Sequence, residues 1–143
     1  MSFRTKALGA VCAACIATSG YILSVRSNNN LAEVDPRLKT LSECAIQRTP
    51  VDFGVVDGKR SLEEHKINLL KGKSWIKRSK HIDGLAIDIV AYVNGKVTYD
   101  VKYYEPILGT FYFCSELHKI PIITGGEWKV GDFMHIELVE AKK

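Results

Sequence analysis

The sequence predicts an α+β fold, a small antiparallel sheet with helices packed on it. Three observations carry that expectation. Helical and strand-like patterns interleave along the chain instead of segregating. Asn94-Gly95 sits between two β-forming runs, a hairpin signal that implies antiparallel pairing. Capping residues stand where the helical stretches begin. The chain of 143 residues is long enough for one domain with its own core.

The elements follow in order. Asp35-Pro36 reads as an N-cap followed by the first helical residue. The helix after it puts Leu38, Leu41 and Ala45 on one face, runs to about Gln47 and is ended by Thr49-Pro50. Residues 51–56 form a strand broken by Gly54. Ser61 and Glu64 make a capping box for a second helix reaching about Lys71, closed by Gly72. Residues 71–80 form a loop with five bases and Trp75; it reads as solvated, though it would suit an anionic polymer. Residues 85–93 are strongly β-forming, and residues 97–99 pair back across Asn94-Gly95. A third helix spans 104–118, starting near Pro106. Residues 120–124 form a strand, Gly125-Gly126 a turn, and residues 133–139 the last strand.

The first 26 residues stand apart. Arg4 and Lys6 precede an uncharged run from Ala7 to Val25 that is only moderately apolar, with Gly9, Thr18, Ser19 and Gly20 inside it. As a helix it would span roughly 28 Å, close to the hydrocarbon thickness. Bases before an apolar run fit a secretory signal or a signal anchor. Ser27–Asn30 (SNNN) reads as a polar linker. The chain thus divides into residues 1–26, a signal peptide or signal anchor; 27–30, a linker; and 31–143, the folded domain. Three of the 20 bases lie before Ser27, leaving 17 against 16 acids in the remainder. A nearly neutral body excludes a dedicated nucleic-acid binder, which needs a basic face.

Of the four cysteines, Cys12 and Cys15 lie in the apolar run as small filler. Cys44 and Cys114 fall in predicted amphipathic helices. Buried free thiols are the default there, and an exported chain would allow them to pair. His65 and His118 read as ordinary helix-surface residues.

The chemistry concentrates in two stretches. In Ser79-Lys80-His81-Ile82-Asp83-Gly84-Leu85-Ala86-Ile87-Asp88, a loop histidine is followed by an aspartate inside an apolar strand. An ionised carboxylate there is costly unless a metal or an arginine pairs it. Gly84 lets the backbone turn between loop and strand. In Asp132-Phe133-Met134-His135-Ile136-Glu137, His135 and Glu137 project to the same face of a strand. His81, Asp88 and His135 offer three N/O ligands and leave a fourth position for water, the layout of a catalytic zinc site. On spacing alone, ordinary structural roles for these residues remain equally open.

SKHIDGLAID resembles the SxHxxGxAxD motif of zinc D,D-carboxypeptidases and L-alanyl-D-glutamate endopeptidases of the Hedgehog/D-Ala-D-Ala-peptidase fold. DFMHIEL resembles their second motif, with an acid three positions before the last histidine. Arg60 in VVDGKRSLEE matches the G-x-R segment, and Gly125-Gly126-Glu127-Trp128 the turn before the final ligand. The similarity covers roughly Leu31 to Leu138 and is strongest to phage endolysins of the L-alanyl-D-glutamate peptidase type.

The resemblance implies that His81, Asp88 and His135 hold one Zn²⁺. It implies Asp132 as the general base and Arg60 as the group that binds a substrate carboxylate or the oxyanion. Glu137 and Ser79 would support the site from behind, and Trp128 would serve as core or site wall. The implied activity is hydrolysis of the L-alanyl-D-glutamate bond in the peptidoglycan stem peptide by a monomer. Two other readings stay beside it: a D-alanyl-D-alanine carboxypeptidase, and a non-catalytic wall-binding module on the same fold. Such endolysins usually begin near the helix at Leu31, so the added segment implies export to the periplasm or cell wall. A transient membrane contact through residues 7–25 would precede release.

Overall fold

The structure, a computed structural model, describes residues 18–73, 79–129 and 131–140. The chain order is α1 (Val25–Ala32), α2 (Pro36–Ile46), β1 (Asp52–Asp57), α3 (Leu62–Leu70), β2 (Ala86–Val93), β3 (Lys96–Thr98), α4 (Val101–His118), β4 (Ile122–Gly125) and β5 (Asp132–Leu138). The five strands form one antiparallel sheet in the order β1-β2-β5-β4. Along the other edge of β2, β5 takes residues 86–88 and the short β3 takes residues 91–93. The predicted α+β class and antiparallel pairing therefore hold.

Alternation along the strands sorts the sheet into two functions. Ile87, Ile89 and Ala91 of β2, Phe53 and Val55 of β1, and Ile136 and Leu138 of β5 join the hydrophobic core. That core is completed by Leu38 and Leu41 from α2 and Tyr104, Ile107 and Phe111 from α4. The residues of opposite parity, Asp88 and His135, are direct cross-strand partners and so share the other face. One face of β2 and β5 holds the molecule together while the other is left for chemistry.

Most start signals act as read. Asp35 caps α2 with Pro36 in its first turn, and Ser61 with Glu64 closes a capping box on α3. Asn94 and Gly95 both take positive φ in the hairpin. Several expectations need correction. Strand β1 is continuous through Gly54. The glycine is there for room, because a Cβ would meet the Tyr92 ring at 3.0 Å. Helix α4 starts at Val101, capped by Asp100, so Pro106 lies inside it. His65 is buried at 2% exposure, not a surface residue, whereas His118 is exposed. Cys44 and Cys114 are joined by a disulfide between α2 and α4, with Cα atoms 6.0 Å apart.

The N-terminal boundary also shifts. Ser27–Asn30 is not a linker but the middle of α1. Ser27 is buried, and its Oγ accepts from Val55 N, while Asn30 Nδ2 donates to Val55 O. The polar residues that look like a breaker are thus the face that staples α1 to β1. Upstream, Ser19 donates through N and Oγ to the carbonyls of Gln47 and Ile46 at the end of α2. Leu23 packs on the core, and Ser24 caps α1. Residues 18–24 are non-helical, so the run 7–25 is not one helix here. Residues 1–17, which carry most of the predicted signal or anchor, lie outside the described residues, as does Trp75. No helix among the described residues is long and apolar enough to cross a membrane.

Candidate metal centre

His81 is delivered by the loop before β2. Its backbone N–H donates to Ser79 Oγ at 3.2 Å, and its C=O accepts from the N–H groups of Arg60 and Gly84. Gly84 takes φ +69°, as the tight entry into β2 requires. The His81 ring is 3% exposed, with Nδ1 against the Gly58 carbonyl at 2.8 Å. A carbonyl can only accept, so Nδ1 carries a proton and Nε2 is the ring nitrogen turned toward the cluster. Nε2 faces Asp88 Oδ1 at 3.4 Å.

His135 approaches from β5. Its Nδ1 lies 3.3 Å from the same Asp88 Oδ1, and its Nε2 meets Glu137 Oε2 at 2.9 Å. Trp128 walls the ring on one side, with centroids 4.7 Å apart, and His81 stands edge-on at 5.1 Å. Burial would lift the Asp88 carboxyl, but the hydrogen bonds and charges of His135 and His81 outweigh it and hold the group below the usual carboxylate range. Burial would lower His135, but Asp88 and then Glu137 push it up to about 9.

One ligand atom each from His81, Asp88 and His135 lies within 4.8 Å of the others. Asp88 Oδ1 is buried without a well-formed hydrogen bond, although two ring nitrogens face it. Three convergent donor atoms, one of them an orphaned buried oxygen, fit a cation, with each histidine steered from behind by an acceptor.

Arg60 reaches the rim of this cluster. It donates from Nη2 to Asp57 Oδ2 and lies 3.9 Å from Asp88 Oδ2. Asp132 opens β5 half-buried, and its Oδ1 accepts from Met134 N at 3.3 Å. Among the described residues no hydrogen bond joins Asp132 to the triad. The register shift between Thr124 and Gly125 sets it opposite Gly125, where a Cβ would meet the Asp132 carbonyl at 2.2 Å. The GGEW turn is held by Tyr112, whose hydroxyl donates to Glu127 and accepts from Thr124 N.

Residues 19–140 match the family of phage L-alanyl-D-glutamate peptidases. The chain belongs to that family. The L-alanyl-D-glutamate peptidase of Escherichia phage T5 is 31% identical over 116 residues, spanning 78% of this chain and 85% of that one. Among solved structures, the Serratia marcescens L-Ala D-Glu endopeptidase ChiX superposes with a TM-score of 0.78 at 32% identity, covering 84% of this chain and 92% of that one. The structure adds site residues that the sequence did not single out: Asp57 beside Arg60, the Gly58 carbonyl behind His81, and Tyr112 under the turn.

Proposed function

We propose that this protein is a zinc-dependent endopeptidase that cuts the L-alanyl-D-glutamate bond of the peptidoglycan stem peptide. The observation that carries the reading is the convergence of three donors, buried His81 and His135 and half-buried Asp88, in a chain of this family. A zinc ion held by them supplies a Lewis acid for the scissile carbonyl and lowers the pKa of a bound water to about 7.

The remaining chemistry belongs to side chains. The Asp132 carboxylate takes a proton from the attacking water and returns it to the leaving amine of the glutamate. Arg60 faces the anionic substrate. A glutamate whose other carboxyl continues the chain keeps one free carboxylate, a natural partner for the N–H groups that Arg60 has left. Glu137 holds the His135 ring, and Ser79 fixes the loop that carries His81. A monomer suffices, since every proposed group comes from one chain.

The disulfide supports export, because such bonds persist in oxidising compartments and are rare in reducing ones. The site of action is then the periplasm or cell wall, reached through the N-terminal segment, with brief membrane contact on the way. The test is digestion of purified peptidoglycan, with mass spectrometry of the muropeptides. New N-terminal D-glutamate, abolished by chelation and restored by zinc, is the expected result. Release of free D-alanine, or activity that survives complete chelation, would contradict it.

A further inference from the structure

Strand pairing sets Asp57 of β1 against Asp88 of β2. Two ionised carboxylates at opposed positions repel, so this register is disfavoured unless a cation lies between them. Arg60 is that cation, but it is shared unequally. Its Nη2 makes a hydrogen bond to Asp57 Oδ2, while Asp88 Oδ2 is 3.9 Å away, an ion pair beyond hydrogen-bond range. The other Asp88 oxygen already faces the two histidines. A guanidinium released from Asp57 would find Asp88 as its nearest carboxylate. The bidentate pair arginine prefers would then occupy the oxygens a metal needs.

Resting on the metallopeptidase reading above, we propose that Asp57 is a positioning residue. It holds Arg60 at the rim of the centre, off Asp88. The ligand carboxylate stays available, and the other N–H groups of Arg60 stay turned to an anionic substrate group. The surroundings are built to fix this geometry. The register shift between Val55 and Asp57 is stapled by Ser27 and Asn30, both bonded to Val55. Gly58 lies so close under the Asn30 carbonyl that a Cβ would meet it at 2.6 Å. The Arg60 N–H is tied to the His81 carbonyl, and the Arg60 side chain is only 14% exposed. The Asp57 side chain is 39% exposed, so it is the Arg60 side and the tied backbone that fix the pair, which a surface pair with two free side chains lacks.

The experiment measures zinc affinity by chelator competition, together with KM and kcat, in the full-length protein and in D57N, D57E, R60Q and D57N/R60Q. D57N is expected to weaken zinc binding by roughly tenfold, as loss of an outer support does, and to raise KM more than it lowers kcat. D57E keeps the acceptor and restores both. The deciding outcome is the double variant, which regains the zinc affinity of R60Q because the competing guanidinium is gone. A purely structural Asp57 leaves the double variant as weak as D57N, and that result overturns the proposal. So does an unchanged zinc affinity in D57N, or in its place a folded D57E that binds zinc poorly. Wild-type protein that binds no zinc overturns the metallopeptidase reading itself, and this inference with it.

Discussion

To serve as the proposed zinc ligand, His135 must surrender a proton. In the metal-free protein burial alone would lower its pKa, but Asp88 and Glu137 raise it to about 9. At pH 7 the ring is thus mostly protonated, and zinc uptake has to displace that proton. Calorimetry at pH 7 in buffers of different ionisation enthalpy is expected to read about 1.5 protons released per ion, one from His135 and about half from a water with its pKa near 7, with affinity rising as pH approaches 9. No release would contradict this. The same shift sets a stability window for the metal-free protein. A raised pKa contributes stability that is fully present below the unfolded value of about 6.5, and lost as pH climbs through 9. Glu137→Gln removes a support of the ring and is expected to weaken zinc binding about 10- to 100-fold, measured by the same competition assay. The three convergent donors were legible because a histidine in a loop and an aspartate in an apolar strand are conspicuous residues in those places. Asp57 was not, because its meaning depends on facing Asp88, which exists only once β1 and β2 are in register.

Elements were legible where local chemistry decides them and illegible where packing does. The capping box at Ser61 and the Asn94-Gly95 turn are backbone devices, complete within four residues, and both form as read. Ser27–Asn30 misled because a polar run looks the same whether water or a neighbouring strand satisfies it. Here it is Val55 that bonds Ser27 and Asn30. Gly54 misled for a related reason, since the Tyr92 ring it accommodates is 38 positions away in sequence. Gly58 gives the element-scale prediction. Gly58→Ala places a Cβ 2.6 Å from the Asn30 carbonyl, a backbone atom that cannot swing aside. Overpacking of this kind costs about 1–3 kcal/mol. The strand end must shift, and with it the carbonyl that sets the His81 tautomer. Thermal melting and zinc titration are expected to fall together. A lowered melting point with unchanged zinc affinity would show that the Gly58 carbonyl does not govern His81.

At the scale of the molecule, two features bear on where the protein folds. The Cys44–Cys114 disulfide closes a loop with sequence separation 70 and ties α2 to α4. In the chain-entropy treatment such a loop is worth about 4 kcal/mol, a large share of the stability of a domain this size. Urea unfolding of the metal-free protein with and without reductant should show a loss of that order. Equal midpoints would mean that the bond is dispensable. The second feature is that the proposed membrane contact and the folded domain would both draw on residues 18–25, and the two uses exclude each other. A membrane helix over Ala7–Val25 needs all of them, because residues 7–17 alone would reach only ~16 Å against ~30 Å of hydrocarbon. The folded domain needs them too, since Ser19 is bonded to the end of α2, Leu23 to the core by contact, and Ser24 to α1 as its cap. A chain held across a bilayer by that run must therefore leave α1 uncapped, and α1 is what staples β1 beside the Asp57–Arg60 turn. Hydrogen exchange of the α1 amides discriminates: full-length protein inserted in phosphatidylglycerol-containing vesicles is expected to lose protection over residues 28–32, and to regain it on release. Full protection in the inserted protein would mean that membrane contact leaves residues 18–25 in place.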